Sequence, residues 1–375
     1  MGAQARDRAA MGIQTAGTDM RAAPPRDRDA GAAAAGRPLA LVRAWLVVVA
    51  IMVFAMVIVG GATRLTDSGL SITEWKPIMG AIPPLSDTAW AEAFEKYRQI
   101  PEYKLVNKGM SLAEFQFIFW WEWGHRLLGR LIGVVFFVPF ALFWAKGWLD
   151  AALTRRSVLL FVLGGLQGVI GWWMVASGLV DRVDVAPYRL ATHLTLAAVI
   201  FVLTVLTATT LVERGGLVGL SSTDGSSGRT AAFWLIVAAL AQLFLGGLVA
   251  GNDAGLIYNT WPLMGGRIVP VEVWDLAPGW RNLFENHATV QLIHRFGGYG
   301  LFAFAGAHAV LAGRGAERRR AGLVFALVAM QAALGIATLV LSVPLALALL
   351  HQAMAIVILA AASWHYGRIG RIVAG

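Results

Sequence analysis

Apolar residues along the chain gather into eight long runs, at roughly 43–61, 114–144, 157–176, 190–212, 231–251, 288–312, 322–341 and 346–366. Each comes near the ~20 residues that carry an α-helix across the hydrocarbon core of a bilayer. The pattern predicts an all-α integral membrane protein with eight transmembrane helices. Segment 1–40 is rich in Ala, Gly, Arg, Asp and Pro, shows no hydrophobic period, and reads as a disordered tail. Segment 213–230 contains "GGLVGLSSTDGSSGR" and reads as a flexible linker between an N-terminal half, 41–212, and a C-terminal half, 231–367. Residues 368–375 form a short second tail. Two longer polar stretches, about 62–113 and 252–287, hold Pro, Trp and mixed charges and are expected to be ordered caps.

Short loops orient the set. "GRGAERRRA" between the sixth and seventh runs carries Arg314, Arg318, Arg319 and Arg320, whereas "SVP" between the seventh and eighth carries no charge. By the excess of Arg and Lys in cytoplasmic loops, the first is inside and the second outside. Lys146, Arg155 and Arg156 place the second-to-third loop inside too. Both termini are then cytoplasmic and both caps face outward. The acids Asp7, Asp19, Asp27 and Asp29 argue against a mitochondrial transit peptide, which leaves a bacterial inner membrane as the expected location.

The halves repeat. "GGATRLTDSGLSITEWKPIMG" (60–80) and "GGLVAGNDAGLIYNTWPLMG" (246–265) share Gly-Gly, Asp, Gly-Leu, Trp, Pro and Met-Gly at nearly one spacing, with Lys76 extra in the first copy. "WGHRLLGRLIG" (123–133) answers "LIHRFGGYGLF" (292–302). Two copies of a four-helix unit are therefore expected, both starting inside, so that the repeats are parallel and related by a pseudo-twofold axis along the membrane normal. The inverted-repeat pattern of many transporters is absent.

Composition narrows the chemistry. The chain is 58% apolar and has no cysteine, which excludes disulfides, thiolate-held iron–sulfur clusters and Cys-type zinc sites. Its net charge of +9 belongs to loop arginines, and with no basic soluble domain nucleic-acid binding is not expected. Of seven histidines, four recur in register: His125 and His294 open the second run of each half, His193 and His351 the fourth. Two histidines per four-helix unit, at matched depth near the outer surface, are what a bis-imidazole haem site needs, because haem iron takes axial ligands on opposite faces and a bundle interior supplies an apolar slot. Zinc is a weaker alternative, with two histidines and one carboxylate per half at most. His308 and His365 lie 14 residues beyond His294 and His351, the spacing of two stacked haems in one bundle, but the first half has Pro139 and Thr207 there instead. Both border Arg-rich loops where polar side chains are cheap.

Glu122 stands three residues before His125 and so shares its helix face. A carboxylate there can accept a proton or offset positive charge on a carbon being oxidised. The matching residue of the second half is Gln291, which cannot take a proton at neutral pH. The halves thus keep the candidate ligands and differ in the acid–base group, as expected of one catalytic and one electron-transfer half. Arg126 and Arg295 follow His125 and His294 directly and are candidates for binding anionic haem propionates. Arg64, Arg130 and Arg189 are weaker candidates. Asp67, Trp75, Asp253 and Trp261 are expected to shape the caps.

Through "GGATRLTDSGLSITEWKPIMGAIPP" (60–84) and "FQFIFWWEWGHRLLGR" (115–130), the chain resembles the haem A synthase family over 43–366. The resemblance implies two four-helix bundles and oxidation of the C8 methyl of haem O to the formyl of haem A by successive hydroxylations, for terminal oxidase assembly. It implies haem b on His294 and His351, substrate-side roles for His125 and His193, and Glu122 as the family's acidic residue. Haem O synthase would be a partner beside an electron acceptor that the sequence does not identify, and a homo-oligomer is compatible with it. One branch of the family carries a cysteine pair in the first outer loop. This chain has none, so no electron path through a disulfide operates there. Two other classes stay open on the residues alone: a b-type cytochrome passing electrons between quinol and a periplasmic partner, and a haem transporter or chaperone.

Overall fold

Local signals begin most of the helices. Ser111 caps a helix over Leu112–Ala145 and forms a capping box with Glu114, so that two otherwise orphaned backbone donors are satisfied reciprocally. Asp150 accepts from the Leu153 N–H, Asn286 from the Thr289 N–H and Ser86 from the Ala89 N–H at three further helix starts. Proline opens another at Pro187 and immediately precedes the last at Pro344. A computed structural model describes residues 26–214 and 225–369, with side chains described for 38–211 and 228–369. Its helices are α1 (Arg26–Leu65), α2 (Asp87–Tyr97), α3 (Pro101–Leu105), α4 (Leu112–Ala145), α5 (Ala151–Ala176), α6 (Pro187–Arg214), α7 (Gly225–Gly251), α8 (Asn282–Glu285), α9 (His287–Leu311), α10 (Ala316–Val340) and α11 (Leu345–Arg368). Among the described residues there is no β-strand. Residues 1–25 and 370–375 of the expected tails and 215–224 of the expected linker lie outside the described residues; α1 begins at Arg26, inside the stretch expected as a tail.

Every one of the eight apolar runs is a long helix. Seven, α1, α4, α5, α6, α7, α10 and α11, are long and apolar enough to cross a membrane. The eighth, α9, has the length, at 25 residues, but not the apolarity. Gln291, His294, Arg295 and His308 dilute it, together with Gly297, Gly298, Gly300 and Gly306.

The helices close into two rings. α1 packs on α4, α4 on α5, α5 on α6 and α6 on α1; likewise α7 packs on α9, α9 on α10, α10 on α11 and α11 on α7. The rings join through α6 against α7, α6 against α11 and α1 against α11. The most apolar stretch of α6 is 56% buried, that of α4 only 6%. α6 is therefore a central helix, while α4 turns side chains such as Val134, Phe137 and Leu142 outward, where only lipid suits them.

Small residues let the rings meet. Gly247 and Gly251, one turn apart on α7, lie so close to α6 that a Cβ would stand 2.9 Å from Cα of Ala191 and 2.8 Å from Cα of Pro187. This is the Gly-x-x-x-Gly contact by which helices approach in lipid. On the other side of the seam, Gln352 of α11 fills the space beside Gly61 of α1 and donates to the Val57 carbonyl at 2.7 Å. At the end of the bundle that carries the caps, Arg64 pairs with Asp67, Asp184 and Asp253 at 2.9–3.1 Å and so ties both caps together. Asp67 and Asp253 are matched positions of the repeat, and both take left-handed backbone, φ 48° and 50°. Each half turns its chain out of its first helix in the same way.

The α6–α7 contact makes a direct prediction. Gly247→Val puts branched carbon where backbone already sits, with no flexible side chain to yield. Overpacking of this kind costs roughly 1–3 kcal/mol, so the thermal unfolding midpoint in detergent should fall by several degrees. An unchanged midpoint would show that the seam does not depend on this approach.

Candidate active site

Four imidazoles sit against four glycines. A Cβ on Gly60 of α1 would meet Nε2 of His125 at 2.9 Å; on Gly171 of α5, Cε1 of His193 at 2.9 Å; on Gly246 of α7, Cε1 of His294 at 3.2 Å; and on Gly335 of α10, Cε1 of His351 at 2.7 Å. His125 and His193 ride on α4 and α6, diagonal helices of the first ring, and His294 and His351 on α9 and α11, diagonal helices of the second. Members of each pair lie within electrostatic reach of one another. The structure thus brings the four predicted histidines together as two pairs, one inside each ring.

Glutamines fix three of the four. Gln167, Gln242 and Gln331 stand four residues before Gly171, Gly246 and Gly335, and each donates from Nε2 to the backbone carbonyl of the histidine seated on that glycine, at 2.9 Å to His193, 2.8 Å to His294 and 2.9 Å to His351. Gln242 Nε2 also stands 3.0 Å from Nδ1 of His294. The fourth place belongs to Met56, whose methyl packs beside Gly129 instead. Sequence reasoning missed this Gln-x-x-x-Gly recurrence. It was visible as a third matched element beside the histidines and the Gly-Gly pairs.

Glu122 is 3% exposed and fully engaged. Its Oε2 accepts from the Ser71 hydroxyl and the Ile72 N–H, both at 2.7 Å; its Oε1 accepts from Nε and Nη2 of Arg126 at 3.0 and 2.5 Å. Arg126 continues to the carbonyls of Glu74 (3.1 Å) and Ile72 (2.8 Å). Together they pin the start of the first cap to α4. The second half repeats the device with other chemistry: Gln291 Nε2 donates to the Ala254 carbonyl at 2.9 Å, and Arg295 donates to the carbonyls of Tyr258 and Thr260 at 2.8 and 2.9 Å. All three donor nitrogens of Arg126 are engaged, whereas Nε of Arg295 is buried without a partner. Of the two arginines, Arg295 keeps a donor for an anion.

The weaker candidates hold the caps. Arg130 donates to the carbonyls of Pro77 and Lys76, and Arg189 to that of Trp173 while lying over its ring. Trp75 packs on Trp172, and Trp261 donates to the Tyr299 hydroxyl. His308 and His365 correct an expectation. They are not solvated by the neighbouring loops but buried, at 4% and 0% exposure, with their Nε2 atoms 2.8 Å apart. An ion between two imidazoles needs about 4 Å, two metal–nitrogen bonds of ~2.0 Å. The pair leaves no room for a second, stacked haem iron.

The first cap also buries a carboxyl that the sequence did not single out. Glu102 on α3 is 5% exposed, and its Oε2 has no hydrogen-bond partner. Burial, with the negative charges of Asp184, Glu122 and Asp67 nearby, pushes its pKa up to about 8.

For the paired histidines, the orphaned atoms are informative. Nδ1 of His193 and of His351 are buried without partners, as are the side-chain oxygens of Gln167, Gln242 and Gln331. Buried polar atoms left unpaired are costly. Imidazoles paired inside an apolar bundle, each cradled where a Cβ would collide, are side chains that would hold a haem iron through ring nitrogens. No group of three or more metal-binding side chains occurs among the described residues.

This geometry defines a helical bundle protein with a histidine pair in each ring. Residues 43–363 match the COX15-CtaA family of cytochrome oxidase assembly proteins, and the chain belongs to that family. It is a multi-pass membrane protein. Among its relatives, the haem A synthase of Chelativorans sp. (strain BNC1) is 55% identical over 89% of this chain and 92% of its own. That of Mesorhizobium japonicum is 54% identical over 91% and 92%, and that of Brucella ovis 52% identical over 87% and 91%.

Glu102 supplies a pH prediction. A folded chain holds its proton up to about pH 8, whereas an unfolded one releases it near the ordinary value of 4.5. Folding takes up a proton within that window, so stability falls as pH rises through it. Thermal midpoints between pH 5 and 9 should decline for the natural chain, and more shallowly for Glu102→Gln. Parallel curves would remove Glu102 as the cause.

Proposed function

We propose that this chain is a haem A synthase that oxidises the C8 methyl of haem O to a formyl group by successive hydroxylations, giving haem A for terminal oxidase assembly. The observation that carries the reading is the pair of histidine sites in matched rings, joined to haem A synthase relatives of 52–55% identity along nearly the whole chain. A b-type cytochrome would use the same ligands, but the relatives support the synthase over it.

In this reading α9 is the eighth span, and the rings are parallel repeats about a pseudo-twofold axis along the membrane normal. The matched packing order of the rings supports this, as does the seam of α1 on α11 and α7 on α6 around α6 on α11. Both termini are cytoplasmic, in a bacterial inner membrane, with the histidine pairs toward the outer side, as the loop arginines favour. His294 and His351 hold haem b, which supplies electron transfer when bound. His125 and His193 orient the substrate haem, and Arg295, through its unpartnered Nε, is favoured for a propionate. Haem O synthase is the expected source of substrate.

Glu122 acts beside the substrate as a fixed negative charge. Its oxygens already accept four donors, about the capacity of a carboxylate. Taking a proton would require the Arg126 pair or the Ser71–Ile72 contacts to open first. Electrostatic stabilisation of a carbon losing electrons, and fixing the cap over His125, need no such opening.

Three measurements test this. Pigments extracted from the purified protein and identified by mass should include haem b with haem O, haem A or an intermediate; haem b alone would favour the cytochrome. His294→Ala and His351→Ala should each abolish the low-spin b-type spectrum, and an intact spectrum in both would end the ligand assignment. In Glu122→Gln the amide NH2 must face either the Ile72 N–H or the Arg126 guanidinium, so the variant loses the charge and one of its two sets of contacts. Haem A formed in cells supplied with haem O should drop roughly 100-fold or more while the haem b spectrum persists. Loss of that spectrum too would make Glu122 structural for the whole protein.

A further inference from the structure

A groove of about 470 Å³ runs along the seam between the rings, walled by α1, α6 and α11. Its sides are apolar: Val47, Ile51 and Phe54 from α1, Phe201 and Val205 from α6, Val357 from α11. One end carries Arg43 and Arg368, with Trp364 beside them, and no carboxylate lines it. From Arg43 to Phe54, and from Val357 to Arg368, eleven helical steps span about 16 Å at ~1.5 Å each. That is close to the depth of one leaflet, half of a ~30 Å hydrocarbon core.

The two cations are uncommitted. Both side chains are exposed, and neither guanidinium has a hydrogen-bond or ion-pair partner among the described residues. Arg320 adds a third positive charge nearby: its guanidinium lies 5.9 Å over the Trp364 ring, and it donates to the Arg368 carbonyl. The repeat supplies an internal comparison. In the register that aligns Gly60 with Gly246, Arg43 corresponds to Arg229. Arg229 is folded inward, donating to the Ile369 carbonyl at 3.1 Å and lying 4.5 Å over the Tyr366 ring. Opposite Arg368, in the register that aligns His193 with His351, stands Thr210, which carries no charge. The same fold therefore closes one side of the seam with an arginine and leaves the other side apolar, open and headed by two free cations.

We propose that this groove binds an anionic phospholipid, one acyl chain lying between α1, α6 and α11 and the phosphate held between Arg43 and Arg368. An apolar trough of leaflet depth suits the chain, and paired guanidiniums at its mouth suit a phosphodiester. In the orientation proposed above, the lipid comes from the cytoplasmic leaflet. The site lies on the helices that join the rings, so an occupied groove completes the packing of the seam. It depends on the chain spanning a membrane and not on its haem chemistry.

The test uses the full-length protein in mild detergent, titrated with phosphatidylglycerol or phosphatidylcholine and read by native mass spectrometry. One phosphatidylglycerol should be retained in preference to phosphatidylcholine. Arg43→Gln/Arg368→Gln should bind it roughly 30-fold more weakly, since a basic residue near a membrane surface contributes a factor of about five toward anionic lipid. Arg318→Gln/Arg319→Gln removes the same charge from the exposed first turn of α10 and should stay within about twofold of the natural chain. Val47→Trp keeps both arginines but fills the trough, and should lose the lipid as well. Thermal midpoints and a single elution peak verify that the variants fold; if the double arginine variant does not, Val47→Trp and the α10 control decide. Equal binding of both lipids, undiminished binding in Val47→Trp, or equal losses in the two arginine pairs would overturn the site. A change of oligomer size in Val47→Trp without lipid loss would assign the groove to a contact between copies of this chain, and the proposal would fall.

Discussion

Seating an imidazole against a glycine on the neighbouring helix is the constraint on which both rings depend. A polar ring inside an apolar bundle must be held, or it will turn toward whatever polar group it can find. In each ring, glycine brings a neighbouring backbone close enough to leave the ring one place to go: Gly60 for His125, Gly171 for His193, Gly246 for His294 and Gly335 for His351. In three cases glutamine, a turn before the glycine, then grips the histidine's own carbonyl. An intrahelical carbonyl has a second lone pair, so this grip costs the helix nothing. The sites are thus made by helix–helix approach first and by side-chain chemistry second.

Against that shared frame the two halves diverge in two residues and in the partners of a third. Met56 replaces the gripping glutamine, so His125 lacks the tether its counterpart His294 receives from Gln242. Glu122 replaces Gln291, changing the cap anchor from a neutral donor into a charge that four donors must satisfy. Arg126 is saturated where Arg295 keeps a free Nε. A resident cofactor calls for ligands that do not move. A substrate that must enter, react and leave calls for one that can. Placing the looser histidine and the fixed charge in the first half agrees with assigning substrate to that half.

The helices were legible because apolar run length maps onto bilayer thickness, and each of the eight runs is a helix with ends within a few residues at most places. Apolarity alone did not make α9 comparable to the rest: a helix that carries His294, Arg295 and Gln291 into a bundle loses the signal by which spans are recognised. The repeated histidines were legible as spacing, and their pairing across diagonal helices followed from the ring order. What was not legible was partnership. Glu122 read as a free acid because Ser71 and Ile72 lie fifty positions away, and because Arg126, within helical reach at i+4, was assigned to a propionate instead. His308 and His365 read as loop-side residues because nothing along the chain says that α9 and α11, diagonal in one ring, bring these two side chains together. Glu102 was invisible, since a five-residue helix in a polar loop gives no sign that it will be buried.

The caps and the pockets are mechanically one object. α4 carries His125 and, one turn earlier, the residue that anchors the first cap; α9 carries His294 and Gln291 in the same relation. Any shift of a cap is therefore felt at a candidate iron ligand through a single turn of helix. Arg64 extends this across the seam: Asp67 and Asp184 belong to the first half and Asp253 to the second, so one guanidinium holds both caps in register. Three carboxylates around one arginine leave a net negative charge at the cap end of the bundle, where water screens the excess, and the arrangement holds only while the caps stay close together. Opening one pocket by lifting its cap would separate these charges and pull on the other half. Motion at the first pair and the geometry of the second are thereby coupled through contacts that lie outside both rings.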